Sequence, residues 1–376
     1  MIIELEKSDY GRARGVFQGL VFHLALAAIL GGSVPGRVFV DDASNPQAGL
    51  AWTKGRFHLA GSAGHEAFNS AAGRLFEGTI YPQARAAGKV AFSLFYDGED
   101  WEPVITGQVL KDKHPLRANR EYYTFKRLKH DWRVLLPAGY QVQFMDTQLL
   151  ANRSLQNLER LESELCSERE SVKAFLEKSF GACLIHDDTI AAWCLTEFNH
   201  GDRCEIGIET VETHQRRGFA TLTASALIEH AKARGIRQIG WHCYANNVAS
   251  GAAARKTGFE KDRDYPAYTA WFDEVDNLAA NGNARLREGR YEEAQDWFEQ
   301  AFARGEAKDW AYWGAARAAA ALGQDEAALR YLGQAVDRGF RELALLIQAE
   351  DFKRLYGSRS WEALIAQLEN RLGERP

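Results

Sequence analysis

The sequence predicts a mixed α/β fold, in which a central sheet is flanked by helices, followed by an all-α helical tail. Strand-like and helix-like stretches alternate up to about residue 137 and again between about residues 140 and 272. Beyond about residue 275 only helical periodicity remains, and Gly289-Arg-Tyr-Glu-Glu-Ala294 returns as Gly323-Gln-Asp-Glu-Ala-Ala328, thirty-four residues later. At 376 residues the chain has length for two or three domains, and 46% hydrophobic with 26% charged residues is a globular composition. A formal net charge of −5 argues against a general nucleic-acid or membrane-surface binder and mildly suits an amine-bearing substrate.

In the first segment, Phe17 to Leu30 is strongly apolar yet too short to span a bilayer, so it reads as a buried helix. Arg37 to Asp42, Ala48 to Ala60 and Val90 to Phe95 read as strands, and His65 to Phe76 as a helix. Lys111 to Arg133 holds eight Lys or Arg among Tyr122, Tyr123, Phe125 and Trp132, against three acids. Basic residues among aromatics can grip RNA, but an amphipathic hairpin with a charged outer face accounts for the same pattern.

The second segment restarts with a strand at Tyr140, two charged helices around Leu149 to Phe180, and paired strands Ala182 to His186 and Thr189 to Phe198. Cys204 to Val211 alternates as a half-buried strand, with Glu205 and Glu209 on one face if Ile206 and Ile208 meet the helices. Helical spacing then runs from Ala220 until Gly235 stops it, and Gln238 to Ala245 forms another strand before Asn247, an Ala-rich helix and Gly258-Phe259. The five cysteines, Cys166, Cys183, Cys194, Cys204 and Cys243, form no C-x-x-C pair and sit in apolar stretches, which fits buried reduced thiols and a cytoplasmic location.

The turn Gln215, Arg216, Arg217, Gly218, Phe219, Ala220 between strand and helix carries the chemistry. A doubly basic, glycine-containing turn that opens a helix offers unpaired amides, the positive end of a macrodipole and two guanidinium groups at one place. That is a seat for a pyrophosphate. Neither a G-x-G-x-x-G fingerprint nor a P-loop is present, so the corresponding nucleotide cofactors fall away.

The order of these pieces resembles the GNAT superfamily of N-acetyltransferases, whose Q/R-x-x-G-x-G/A turn matches Gln215, Gly218 and Ala220, with Asn247 eleven residues before Gly258. The resemblance implies a mixed GNAT sheet flanked by helices, acetyl-CoA or another acyl-CoA as co-substrate, and no metal. It places Val211, Thr213, Gln215, Arg216, Arg217, Gly218, Phe219, Ala220, Thr221 and Asn247 around the cofactor, with the amides of Val211 and Thr213 free for the pantetheine arm. For the base it offers Glu209, ahead of Glu205, because Glu209 lies nearer the expected thioester. Many relatives carry a tyrosine seven residues after the Asn. Ala254 stands there, leaving Tyr244, His242 and Ser250 as nearby proton donors.

Gly36, Val38, Val40, Asp41, Asp42, Pro46, Ala48 and Gly61 resemble the front half of two-part bacterial GNAT proteins, a degenerate GNAT-like fold that would shape the acceptor cleft. The implied tandem arrangement is a degenerate domain at 1–138, an acyl-CoA-binding domain at 139–274 and tetratricopeptide-like repeats at 275–376. The expected acceptor is a small-molecule or peptide primary amine, with no membrane and no nucleic-acid partner. Two rival readings stay open: a transferase taking its acyl group from aminoacyl-tRNA through the 111–133 patch, and an inactive GNAT scaffold that recruits a protein partner through the tail.

Overall fold

The computed structural model describes residues 1–373. The first segment contains β1 (Ile3–Glu4), α1 (Leu24–Leu30), β2 (Arg37–Val40), β3 (Ala48–Thr53), β4 (Arg56–Gly61), α2 (Glu66–Leu75), α3 (Tyr81–Ala86), β5 (Ala91–Tyr96), α4 (Trp101–Val104) and β6 (Leu116–Phe125). The second contains β7 (Tyr140–Phe144), α5 (Thr147–Ala151), α6 (Leu158–Leu165), α7 (Val172–Lys178), β8 (Gly181–His186), β9 (Thr189–His200), β10 (Arg203–Thr210), α8 (Phe219–Ala233), β11 (Gln238–Tyr244), α9 (Val248–Thr257) and β12 (Phe259–Trp271).

All these strands join one sheet in the order β1-β2-β3-β4-β5-β12-β6-β11-β10-β9-β8-β7. The two segments exchange their last strands, since β6 lies against β11 and β12 lies against β5. A single hydrogen-bonded sheet therefore runs across the sequence division at about residue 138, because each half completes the other's ladder.

Several elements differ from their sequence reading. Ala48 to Ala60 is a hairpin rather than one strand: β3 and β4 pair antiparallel about Lys54, whose φ of 47° turns the chain back. Only the last part of Phe17 to Leu30 is α-helical, and the charged stretch from 149 to 180 forms three short helices rather than two. Lys111 to Arg133 is no hairpin. Its centre is β6, an interior strand with Tyr123 fully buried, and alternation cannot separate an edge hairpin from a strand hydrogen-bonded on both sides.

Around β7 to β11 the helices lie on both faces. Cys204, Ile206 and Ile208 of β10 pack with Ala224, Leu227 and Ile228 of α8. The opposite face, with Trp193, Leu195 and Val211, is covered by α5, α6 and α7 through Leu149, Leu161, Leu165 and Phe175. The alternation of β10 thus sends Glu205, Gly207 and Glu209 away from α8. α8 closes in a Schellman motif, with Ile236 N–H on the Ala231 carbonyl at 3.0 Å, Gly235 N–H on Lys232 at 3.0 Å and Gly235 at φ 86°.

By contact density the chain forms two compact units, the first comprising residues 1–72, 93–104 and 117–268 and the second 73–92, 105–116 and 269 onward. The second unit contains α10 (Glu274–Arg287), α11 (Tyr291–Arg304), α12 (Asp309–Ala321), α13 (Asp325–Asp337), α14 (Leu343–Gln348) and α15 (Arg359–Gly373). α10 packs against α11 and α12 against α13, around an Ala-rich core with Phe298, Tyr312 and Leu332. Glycines make the close crossings: a Cβ on Gly282 would stand 2.9 Å from the Phe298 ring, and one on Gly314 2.6 Å from it. The Asn277 and Asn281 amides hold the carbonyls of Lys113 and His114 at 2.5 and 3.2 Å, so these helices are anchored within their own unit. Among the described residues no helix is long and apolar enough to cross a membrane.

Candidate active site

The site begins where two parallel strands part. β10 and β11 are in register only at Arg203↔Gln238, Cys204↔Ile239 and Glu205↔Gly240, after which β10 runs on to Thr210 without a β11 partner. β9 stays paired with β10 to its end, with one irregularity that leaves Glu197 as the extra residue opposite Glu205 and Ile206. The Val211 amide, expected to be free, donates to the Ala191 carbonyl at 3.0 Å because that pairing continues past Thr210. Strand alternation then turns the amides of Ile208 and Thr210, rather than Val211, toward the opened side. The Thr210 hydroxyl is buried there without a partner. Alternation in the sequence carried no sign of which amides would open, since that depends on where β11 departs.

At the wide end of the opening, Arg216 (φ 62°) and Gly218 (φ 83°) are both left-handed, and Gly218 caps α8 without a side-chain bond. Among the described residues no backbone or side-chain acceptor takes the amides of Arg216, Arg217 or Gly218, and those of Phe219, Ala220 and Thr221 belong to the unbonded first turn. Gln215 is spent on structure, its amide donating to the Thr210 carbonyl at 3.1 Å. Arg217 reaches the Tyr140 hydroxyl at 3.3 Å, and that hydroxyl lies 3.1 Å from His214 Nδ1. Thr213 is exposed in a short 3-10 turn, while Phe219 and Thr221 are buried. Asn247 caps α9, its side chain accepting from Ser250 N–H at 3.0 Å.

The two candidate bases have different surroundings. Glu209 is 30% exposed and ion-paired with Arg160 of α6, so it already carries a counter-charge. Glu205 is buried, with its Oε1 receiving Leu24 N–H at 2.6 Å and facing His242 Nε2 at 3.0 Å. Burial alone would raise its pKa, but its interaction with His242, the Leu24 amide and Arg56 outweighs that and holds the carboxyl below its ordinary value. A cavity of about 260 Å³ has Glu205, Leu24, Tyr122 and Gly240 among its lining residues. Between the two bases, Gly207 makes room for Glu197, whose Oε1 would stand 2.5 Å from a Cβ there. Arg56 of β4 binds Glu197 at 2.9 Å and Glu168 at 2.7 Å. Glu164 of α6 is pushed up to about 7 by burial and then by the carboxylates of Glu197, Glu209 and Glu168, with Arg56 opposing.

Of the suggested proton donors, Ser250 accepts from Trp241 Nε1 at 3.0 Å, and Tyr244 is 37% exposed with Arg120 4.4 Å above its ring. Ala254 is fully buried against α8 and β11. The sequence reading missed what the front segment supplies. His23 and His58 sit beside His242, with ring centroids 5.3 Å apart for His23–His242 and 5.2 Å for His23–His58. These lone histidines carried no motif, because strands far apart in sequence bring them together. Among the described residues no group of His, Cys, Asp or Glu is arranged to hold a metal ion.

His58 is fully buried with neither ring nitrogen partnered. Burial first, then Arg56 and His242, push its pKa down to about 3. A base whose folded pKa is depressed contributes its stability above the ordinary 6.5 and loses it as pH falls toward 3. His58→Leu should therefore gain about 2 kcal/mol relative to the native chain between pH 7.5 and 4.5, read as the change in urea unfolding free energy. An equal effect of the substitution at both pH values would show that His58 is not held neutral.

A strand pair that opens beside an unbonded, doubly basic helix start is the arrangement of an acetyltransferase fold. The chain belongs to the GNAT acetyltransferase family, whose model matches residues 15–268. It is 26% identical over 266 residues to the uncharacterized N-acetyltransferase YdfB of Bacillus subtilis (strain 168), covering 70% of this chain and 97% of that protein. Its fold is similar to the crystal structure of a GCN5-related N-acetyltransferase-like protein from Streptococcus suis 89/1591, with a TM-score of 0.53, 21% identity, and coverage of 70% of this chain and 98% of that one.

Proposed function

We propose that this acetyltransferase moves the acetyl group of acetyl-CoA to a primary amine on a small molecule or peptide. The observation that carries the reading is the run of unbonded amides from Arg216 to Thr221 beside two exposed guanidinium groups, placed at the open end of the β10/β11 splay. These residues fit a pyrophosphate by donor number and charge, and the orphaned Thr210 hydroxyl fits a polar arm lying along β10. Acetyl-CoA supplies an activated thioester acyl group.

The chain's own residues do the rest. Arg216, Arg217 and the first turn of α8 fix the diphosphate, and the Ile208 and Thr210 amides border the opening. Glu164, Glu197, Glu205 and Glu209 gather carboxyl groups on the opposite face of β10, where the amine is received, with Glu205 as the proton acceptor. Glu209 is the weaker candidate because Arg160 already neutralises it.

The thirty-four-residue period and the paired helices α10/α11 and α12/α13 support reading the tail as tetratricopeptide-type repeats. Its anchoring through Asn277 and Asn281 favours a stabilising role over partner recruitment. The aminoacyl-tRNA reading is weakened because three of the eight cations of 111–133 are engaged within the fold: Arg117 with Glu102, Arg133 with Glu229, and Lys113 with the Phe272 carbonyl.

Thiol release from acetyl-CoA, followed with a panel of small amines and peptides, tests the proposal. At least one amine should accelerate release well above background hydrolysis. Release that no amine accelerates, or transfer supported only by aminoacyl-tRNA, would overturn it.

A further inference from the structure

Glu205 is the end of a hydrogen-bonded chain that crosses four strands. Its Oε1 faces His242 Nε2 at 3.0 Å, His242 Nδ1 lies 2.7 Å from the Tyr265 hydroxyl, and Arg120 Nε donates to that hydroxyl at 3.0 Å. The donors fix the direction. Arg120 can only donate, so the Tyr265 oxygen accepts from it and its own proton is available to Nδ1. An ionised Glu205 can only accept, so the ring proton sits on Nε2. A neutral Nε2–H ring satisfies both ends.

The ring is also clamped. His242 stacks on His23 at 5.3 Å and 8° and on Tyr122 at 4.5 Å and 24°, with Tyr265 edge-on at 5.5 Å and 89°. Gly240, opposite Glu205 in the ladder, lets this happen: a Cβ there would stand 2.9 Å from the Tyr122 ring and 3.2 Å from Glu205 Cγ. Two donors, Leu24 N–H and His242 Nε2–H, converge on Oε1, and among the described residues Oε2 meets no protein donor.

We propose that His242 is a positioning residue for amine acetylation: as a neutral Nε2–H imidazole oriented by Tyr265, it pins Oε1 of Glu205 and leaves Oε2 to take the acceptor's proton. The assignment rests on the acetyl-transfer reading above. One proton moves: the acceptor ammonium loses it and gains a lone pair, Glu205 passes from carboxylate to carboxylic acid, and His242 stays neutral.

Nitrogen-15 spectra of histidine-labelled full-length protein at pH 7.5 read the tautomer without any turnover, the His242 signals being those lost in His242→Gln. An Nε2–H neutral ring is expected, and an Nδ1–H ring or an imidazolium would overturn the assignment. In the thiol-release assay, His242→Leu should lower kcat by about tenfold or more with the KM for acetyl-CoA within about twofold, since the interaction lies on the acceptor side. His242→Gln, whose amide nitrogen can stand where Nε2 stands, should return kcat to within about threefold of the native value. An active native enzyme whose kcat survives His242→Leu, or whose loss is not rescued by Gln, sinks the assignment alone. A native chain that transfers to no amine sinks the acetyl-transfer reading and the assignment with it.

Discussion

Reversing the charge of Arg216 and Arg217 together, by Arg216→Glu with Arg217→Glu, should weaken acetyl-CoA binding by about 10²–10⁴-fold. Each charge-assisted phosphate contact contributes about 1.5–3 kcal/mol, and about 1.4 kcal/mol is a factor of ten. Both side chains are exposed at an unbonded helix start, so the exchange should leave the fold intact. The backbone of Arg216 sharpens the test. A non-glycine residue at φ 62° costs about 1–2 kcal/mol, a strain that is kept where a loop must aim its amides. Arg216→Gly should therefore raise thermal stability while lowering affinity, a pair of opposite effects that a purely structural turn would not give. Calorimetric titration with acetyl-CoA checks both variants, and an unchanged Kd in the double variant would remove the pyrophosphate assignment.

Gly258→Ala should destabilise the chain by about 2–5 kcal/mol. Gly258 ends α9 at φ 118°, and a Cβ on it would stand 1.7 Å from the Arg127 carbonyl oxygen. The left-handed backbone costs an alanine about 1–2 kcal/mol, and forcing the 127–128 segment aside adds about 1–3 kcal/mol. That segment cannot give way freely, because Lys126 N–H donates to the Gly258 carbonyl at 3.1 Å and ties the strand exit to the helix end. For a unit of this size the loss should appear as a fall of about 5–15 °C in the melting midpoint. A midpoint within a degree or two of the native one would mean that the contact is not maintained in solution.

These two sites were legible to different depths. Gln215, Gly218 and Ala220 in sequence, followed by helical spacing and Gly235, located the basic turn that opens α8, because a turn and a helix start are made by neighbours in the chain. Gly258 was equally visible as a glycine before Phe259, yet nothing in the sequence said that the carbonyl of Arg127 would fill the space beside it. The preference for Glu209 over Glu205 shows the same boundary. Alternation put both carboxylates on one face of β10, but only the folded chain brings Arg160 onto one and His242 with the Leu24 amide onto the other. Val211 fared likewise, since the reach of β9 along β10 decides which amides remain open.

The sequence by itself determined the local order of strands and helices, the helical tail with its thirty-four-residue period, and the basic turn that opens α8. Tertiary structure alone decided that β6 and β12 change places between the halves, and that His23, His58 and Arg56 of the front segment meet Glu197, Glu205 and His242. Periodicity and turn chemistry act between residues a few positions apart. A carboxylate's proton affinity depends on whatever charge and burial the whole fold places within a few ångströms of it.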